Sequence, residues 1–239
     1  MWGVGNAPKE IKKGLTMSYK TVLFDLDGTL LDTLADLRSS MNRALARHGF
    51  PPHTLAEVRA FVGNGIKDYT CRAVPAGTDS ETITSVLDAF RADYKEHCAD
   101  DTAPYAGILD MLDALRRNGV RTAVVSNKAD FAVQLLSKQY FGDRLDLSRG
   151  EREGVPKKPA PDMVLSVMDA LKADPASTLY VGDSDVDFDT AMNAKLDVVL
   201  VDWGFRDRSL LESRLASLPA GRVGTVVSTV EALQSFILS

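Results

Sequence analysis

Cysteine and histidine are scarce in this sequence, with two cysteines and three histidines among 239 residues. Cys71 and Cys98 belong to no Cys-x-x-Cys or Cys/His cluster. Neither a disulfide framework nor a zinc site is therefore expected. A reducing, cytoplasmic setting is the expectation that follows.

Excess positive charge and long apolar runs are also missing. The net charge of −5 offers no basic surface for nucleic acid. No apolar run reaches the length of a membrane span, and the first residues lack the apolar centre of a secretory signal. We therefore expect neither a nucleic-acid nor a membrane partner. The expected ligand is a small molecule, and the expected oligomeric state is a monomer or homodimer.

The amino-terminal residues differ in character from the rest of the chain. Residues 1–16 contain Gly, Lys and Pro, and Met17 is a more natural first residue for the protein. We expect residues 1–16 to be an extension, loosely attached to the fold. The remaining chain is long enough to bury a sizeable core, since 45% of all residues are hydrophobic.

The most informative stretch is Thr21–Leu30, an apolar run that ends in two carboxylates and a glycine. Residues 22–24 are typical of a central strand in a parallel sheet. Asp25 would lie at the carboxyl end of that strand, where open α/β sheets bind ligands, and Asp27 would point the same way. Two acids held so close favour a divalent cation, and Mg²⁺ is the cation expected. Asp-Gly is also a common turn, so this stretch alone leaves both interpretations open.

The pattern of apolar residues changes near Tyr105. Before it, from Leu30 onward, the pattern is helical and no strand is predicted. After it, strands and helices alternate, which is typical of βαβ units. The predicted fold is α/β, a Rossmann-like doubly wound parallel sheet with an all-helical cap inserted after the first strand. We assign residues 17–32 and 102–239 to the core domain and residues 33–101 to the cap.

Local signals predict several element ends. Thr33 with Asp36, and Thr54 with Glu57, have the spacing of capping boxes at two helix starts in the cap. Residues 141–157 are polar and ambiguous, with a short strand predicted near residues 145–147.

Three further polar sites follow predicted strands or precede a helix. Ser126 and Asn127 follow the second buried strand, Lys158 precedes Pro-x-Pro, and Asp183 and Asp187 follow a later strand. Each has an ordinary explanation as well, namely a turn, a solvated lysine, or acids at a helix start. Their shared position at the carboxyl ends of strands favours a common site.

Taken in order, four of these stretches resemble the motifs of the haloacid dehalogenase superfamily of phosphatases and phosphotransferases. They are Asp-x-Asp-Gly-Thr at 25–29, Ser126, Lys158 before Pro-x-Pro, and Gly-Asp-Ser-x-x-Asp at 182–187. The resemblance implies a Mg²⁺-dependent phosphatase in which Asp25 attacks phosphorus and forms an aspartyl phosphate.

The resemblance also implies a role for each site residue. Asp27 would act as general acid and then general base. Mg²⁺ would be held by Asp25, by the backbone carbonyl of Asp27 and by Asp183, with Asp187 in support. The residues implied to hold the phosphoryl group and substrate on the core side are Thr29, Ser126, Asn127 and Lys158.

A second, weaker resemblance concerns the substrate. Residues 61–67, Phe-Val-Gly-Asn-Gly-Ile-Lys, are similar to a cap segment of phosphoglycolate phosphatases. This implies substrate contacts from Gly63 and Lys67, and a basic cap residue (Arg59, Lys67 or Arg72) paired with a substrate carboxylate. A glycine turn between two helices explains the same residues equally well.

The function predicted is therefore hydrolysis of a small phosphorylated metabolite, with phosphoglycolate as the leading substrate. A phosphotransferase similar to β-phosphoglucomutase and a pyrophosphatase of the same family are the alternatives. A non-enzymatic phosphoacceptor module is disfavoured by the helical insert and by Asp27.

Overall fold

A computed structural model describes residues 19–239, so the prediction for residues 1–16 lies outside the described residues. In chain order the strands are β1 (Thr21–Phe24), β2 (Leu31–Asp32), β3 (Ala103–Pro104), β4 (Arg121–Ala129), β5 (Leu147–Glu151), β6 (Thr178–Gly182), β7 (Asp197–Val201) and β8 (Gly224–Val227). The helices are α1 (Leu34–Arg47), α2 (Leu55–Phe61), α3 (Gly65–Ala73), α4 (Ser80–His97), α5 (Ile108–Arg117), α6 (Asp130–Tyr140), α7 (Asp162–Leu171), α8 (Asp185–Asn193), α9 (Arg208–Leu215) and α10 (Val230–Leu238).

Six of the strands form one parallel sheet in the order β5-β4-β1-β6-β7-β8. Val22 and Phe24 of β1 pack in the layer with α5, α6 and α10, whereas Leu23 packs in the layer with α7, α8 and α9. Because helices cover both faces, β1 is buried at every position, and Val22, Leu23 and Phe24 are apolar. The predicted Rossmann-like, doubly wound parallel sheet is confirmed.

The cap helices lie between two short strands. β2 and β3 pair antiparallel, with Leu31 opposite Pro104 and Asp32 opposite Ala103. The chain passes from the core domain into the cap after β2 and returns at β3, and we call these two connections the chain crossings. Within the described chain, four helices and no strand lie between these crossings. We keep the division at residues 33–101 as a prediction and use the word cap for that range.

The capping box predicted for α1 is wrong. Thr33 is the N-cap of α1 but makes no side-chain capping bond. The buried Asp36 carboxylate instead accepts hydrogen bonds from the backbone amides of Asp101 (3.0 Å) and Thr102 (2.9 Å). Those amides are buried or partly buried and need an acceptor, so they compete successfully for the carboxylate. Asp36 thereby ties the start of the cap to its end.

Other local predictions had mixed outcomes. The Thr54–Glu57 capping box of α2 is confirmed. The strand predicted near residues 145–147 begins at Leu147 and extends to Glu151, because it pairs with β4 along the sheet edge. None of the helices in residues 19–239 is both long and apolar enough to traverse a lipid bilayer.

We predict that Asp36→Ala destabilises the protein strongly. The change leaves two backbone amides without their acceptor, which costs about 2 to 4 kcal/mol. Urea unfolding measures the loss. Asp79→Ala is the matched control, because Asp79 is an exposed N-cap whose loss costs about 1 kcal/mol. If Asp36→Ala lost no more unfolding free energy than Asp79→Ala, the inferred role of Asp36 in joining the two ends of the cap would be contradicted.

Candidate active site

The carboxyl ends of β1, β4 and β6 lie side by side in the sheet. The amide of Asp25 donates to the Val181 carbonyl at 2.9 Å and so continues the ladder between β1 and β6. Asp25, Ser126 and Asp183 consequently lie at one edge and line one cavity. The convergence predicted for these three residues is present.

A cluster of three buried carboxylates occupies this edge. Asp25, Asp183 and Asp187 each offer an oxygen, and these oxygens lie within 4.8 Å of one another. Like charges at this separation in a buried site repel strongly unless positive charge offsets them. The cluster is therefore the part of the site whose electrostatics must be explained.

Asp187 reaches the cluster because it is the third residue of α8. Its carboxylate accepts from the hydroxyl of Ser184 (2.5 Å) and from the Ser184 amide (3.1 Å), completing a capping box. The other carboxylate oxygen lies 2.8 Å from Lys158 Nζ and 3.1 Å from the Tyr180 hydroxyl. Both oxygens are thus already bonded, an arrangement that suits the supporting role predicted for Asp187.

Lys158 supplies the buried positive charge. Its Nζ lies 2.9 Å from Asp25 Oδ1 and 2.8 Å from Asp187 Oδ1, and its side chain is 2% exposed. Burial opposes the charge, but Asp187 and Asp25 outweigh it and raise the pKa of Lys158 well above its usual value. Lys158 therefore carries an ammonium at neutral pH.

The side chain of Asn127 holds the backbone of Lys158 in place. The Asn127 amide accepts from the Lys158 N–H at 2.8 Å and donates to the Lys158 carbonyl at 3.0 Å and the Gly63 carbonyl at 3.3 Å. Its side-chain groups are thus occupied by the protein, but Asn127 also lines the cavity, so its assignment as a substrate ligand stays a prediction. Asn127 aims the lysine and joins it to the cap.

Asp183 is enclosed by two glycines. A Cβ added at Gly28 would lie 2.3 Å from an Asp183 oxygen, and one at Gly204 would lie 2.4 Å from the same oxygen. Asp183 accepts from the Phe205 amide at 2.7 Å and from the Thr29 hydroxyl at 3.3 Å. Thr29 is fully buried and directs its hydroxyl to Asp183, which corrects its assignment as a phosphate ligand.

Burial is the main cause of the raised pKa values of Asp25 and Asp183. It raises the pKa of Asp25 to about 6, with repulsion from Asp187 and Asp27 adding to the rise and Lys158 opposing it. Burial and repulsion from Asp187 and Asp25 also raise the pKa of Asp183 well above its usual value.

The donor set of the cluster fits a divalent cation. Asp25 Oδ1 is buried without a well-aligned hydrogen bond. When all three carboxylates are ionised, one ammonium leaves two negative charges for a bound cation to offset. Oxygen ligands with that excess charge match a hard divalent ion such as Mg²⁺ or Ca²⁺. The residues available to hold it are Asp25 and Asp183, since the oxygens of Asp187 are already bonded.

Asp27 faces a partner that the sequence analysis did not assign. Its carboxylate lies 2.9 and 3.2 Å from Nζ of Lys128, which is buried. A signal was present, because Lys128 comes two residues after Ser126 on a strand and so points to the same side. The predicted metal contact of Asp27 uses its backbone carbonyl and stays a prediction.

A cavity of about 50 Å³ lies between the cap and this sheet edge. Gly63 lines it, as does Ile66 of α3, but Lys67 is exposed and lies outside its lining. Consecutive helical residues are turned by about 100°, so Ile66 and Lys67 face different ways. This corrects the assignment of Lys67.

The arginines near the cap edge hold the cap against the core. Arg59 Nε donates to the Phe205 carbonyl at 2.7 Å, and Arg206 donates in return to the Val62 carbonyl at 2.7 Å. Arg59 and Arg72 line a separate cleft and do not line the cavity. The substrate-carboxylate role predicted for Arg59 or Arg72 is therefore not supported by their position.

Comparison with known proteins identifies the family. The sequence model of haloacid dehalogenase-like hydrolases matches residues 22–201. The chain is 32% identical to N-acetylmuramic acid 6-phosphate phosphatase of Pseudomonas aeruginosa, over 79% of this chain and 84% of that protein. It is 33% identical to phosphoglycolate phosphatase of Pseudomonas putida, over 83% of this chain and 75% of that protein.

A solved structure agrees with these matches. A protein of Lactobacillus delbrueckii subsp. bulgaricus, provisionally named a phosphoglycolate phosphatase, superposes with a TM-score of 0.85 at 34% identity, covering 93% of this chain and 99% of that one. The chain belongs to the haloacid dehalogenase-like hydrolase family. The family predicted from the four motifs is confirmed, and the chain is a phosphatase of that family.

We predict that the metal-free protein loses stability as Asp25 deprotonates. The pKa of Asp25 is about 6 in the folded protein against an ordinary value of 3.8, so the folded state binds the extra proton between about pH 4 and 6. Its contribution to stability falls through that window by about 2 to 3 kcal/mol. Because the pKa of Asp183 is raised as well, urea unfolding in EDTA should show a fall in both proteins that is steeper in the wild type than in Asp25→Asn. Parallel pH profiles for the two proteins would contradict it.

We also predict that Gly204→Ala weakens binding of the divalent cation. The new methyl group would lie 2.4 Å from both Asp183 Oδ2 and the Gly28 carbonyl, so Asp183 must move. Titration calorimetry with Mg²⁺ should show affinity reduced by about tenfold or more, equivalent to about 1.4 kcal/mol. Gly119→Ala has open space around the new methyl but strains a left-handed backbone position away from the site, so it controls for general destabilisation. Unchanged affinity in Gly204→Ala would refute the inferred role of this enclosure.

Proposed function

We propose that this chain is a Mg²⁺-dependent phosphatase of small phosphorylated metabolites that works through an aspartyl phosphate on Asp25, with 2-phosphoglycolate as its preferred substrate. The observation that carries the proposal is the Asp25 carboxylate at the cavity floor. One of its oxygens is 2.9 Å from the Lys158 ammonium, and the carboxylate is clustered with that of Asp183. A nucleophile there has positive charge ready for the phosphoryl oxygens.

The first step transfers the phosphoryl group to the protein. An oxygen of Asp25 attacks phosphorus in line, and the bond from phosphorus to the leaving oxygen breaks. Asp27, in its protonated form, gives its proton to that oxygen. The Lys158 ammonium and the Ser126 hydroxyl bind the phosphoryl oxygens as they gain charge.

The second step releases phosphate. Asp27, now ionised, takes a proton from a water molecule whose oxygen attacks phosphorus, and the bond between phosphorus and Asp25 breaks. Inorganic phosphate leaves and Asp25 is restored. Mg²⁺ held by Asp25 and Asp183 would supply positive charge that lowers the repulsion between the nucleophile and the phosphoryl group.

The cavity supports a small substrate with one further negative group. Among the described cap residues that line it, Arg91 carries the only full charge, and the others are apolar, aromatic or glycine. Arg91 makes one long contact, 3.4 Å to Asp88 on its own helix, so its guanidinium is free to pair with a substrate carboxylate. This position takes over the role first assigned to Lys67.

We predict that the wild type with Mg²⁺ hydrolyses 2-phosphoglycolate with a higher kcat/KM than p-nitrophenyl phosphate. Asp25→Asn should lower kcat by about 10³-fold or more, because the amide oxygen is a poor nucleophile. Asp169→Asn, an exposed acid on α7, is the matched control and should retain activity. Acid-quenched wild type should carry phosphate on the peptide that contains Asp25.

Other outcomes would assign the site differently. Full activity in Asp25→Asn would overturn the proposed nucleophile. Preference for N-acetylmuramic acid 6-phosphate or for pyrophosphate would replace the phosphoglycolate assignment. A burst of phosphorylated enzyme with slow release of phosphate would favour the phosphotransferase alternative.

A further inference from the structure

The ammonium of Lys128 is a buried charged group that lines the cavity and that the two chemical steps do not use. Its side chain is 2% exposed, and its Nζ lies 2.9 and 3.2 Å from the two carboxylate oxygens of Asp27. A lysine is buried only when its charge is paired. The pairing gives Lys128 direct control over the position of the Asp27 carboxylate.

A second contact of Lys128 crosses to the cap. Its Nζ donates to the Tyr94 hydroxyl at 2.5 Å and lies 4.7 Å from the centre of the Tyr94 ring. Tyr94 belongs to α4 and stacks on Phe90 at 5.3 Å, with 2% of its surface exposed. Its hydroxyl is fixed to the cap helix, so it moves with the cap.

The carboxylate of Asp27 has few other restraints. In residues 19–239 its side-chain hydrogen bonds are the two from Lys128, and 21% of the side chain is exposed. Asp187, by contrast, accepts from several donors on both oxygens and is fully buried. The direction of the Asp27 carboxylate therefore depends on one ammonium, which depends in turn on a cap residue.

We propose that Lys128 and Tyr94 are positioning residues that aim the Asp27 carboxylate at the leaving oxygen when the cap is docked on the core domain. The proposal rests on the proposed function, in which Asp27 is the general acid. Lys128 and Tyr94 act through Asp27 and touch neither the phosphoryl group nor the nucleophile. Asp27 is then aimed for proton transfer only while the cap is docked and bulk water is excluded from the cavity.

The leaving group separates this role from a purely structural one. Loss of an alkoxide from 2-phosphoglycolate needs a proton from Asp27, whereas p-nitrophenolate leaves without one. A misaimed Asp27 should therefore slow the first substrate far more than the second. A general loss of packing or folding would slow both substrates equally. The constant to measure is kcat/KM, because it reports the steps up to loss of the leaving group.

Tyr94→Phe is the variant of choice, since it keeps the ring and its stacking and removes the hydroxyl that holds Lys128. We expect kcat/KM for 2-phosphoglycolate to fall by about tenfold or more and that for p-nitrophenyl phosphate by less than about twofold. Lys128→Met should show the same asymmetry with a larger loss. Tyr19→Phe is the matched control, because that buried phenol donates to Asp197 at 3.1 Å outside the cavity lining.

Equal losses on both substrates in Tyr94→Phe, or no loss on either, would overturn the positioning role. Melting temperatures of Tyr94→Phe and Tyr19→Phe measure any general destabilisation separately. Failure of the proposed function gives a different result, because the wild type would then turn over neither substrate or Asp25→Asn would remain active. Either result would also overturn this inference, and each is seen without making a Tyr94 variant.

Discussion

The structure of the site depends on the pair of contacts between Lys158 and the carboxylates of Asp25 and Asp187. Without a buried ammonium 2.9 and 2.8 Å from these acids, ionising any of the three carboxylates at a buried sheet edge would be far more costly. Other parts of the fold hold Lys158 in place. Asn127 bonds both backbone groups of Lys158, and the Tyr180 hydroxyl lies 3.1 Å from its Nζ. The remaining negative charge is what makes the site suited to a cation.

The cap is joined to this charged site by more than its chain crossings. Arg59 donates to the carbonyl of Phe205, whose amide donates to Asp183. Tyr94 contacts Lys128, which holds Asp27. The same core groups that orient the proposed metal ligand and the proposed acid therefore also bond to the cap. A cap that moves away must break these bonds, so the arrangement of the acids and the position of the cap are linked.

Sequence patterns predicted the sheet well and the details of its edges less well. β1 was readable because helices cover both faces and leave an unbroken apolar run. Helix α9 was not predicted, since Leu211 is its only buried residue among those described and one apolar position makes no periodic pattern. Asp36 followed a capping-box spacing, yet tertiary contacts gave its carboxylate to amides about 65 residues away. Local spacing describes which bonds are available, and packing decides between them.

The sequence by itself determined the fold class and the strand-end positions of Asp25, Asp27 and Asp183, because strand periodicity and parallel topology place such residues at one edge. The resemblance of four motifs gave the family. Only the tertiary structure decided that the side chains of Thr29 and Asn127 bond to other protein groups and that Lys67 lies outside the cavity lining. It also decided that Lys128 bonds to Asp27 and Tyr94. The physical reason is distance along the chain. Periodicity reports which way a side chain faces on its own element, whereas these contacts join elements whose relative positions are set by the packing of the whole fold.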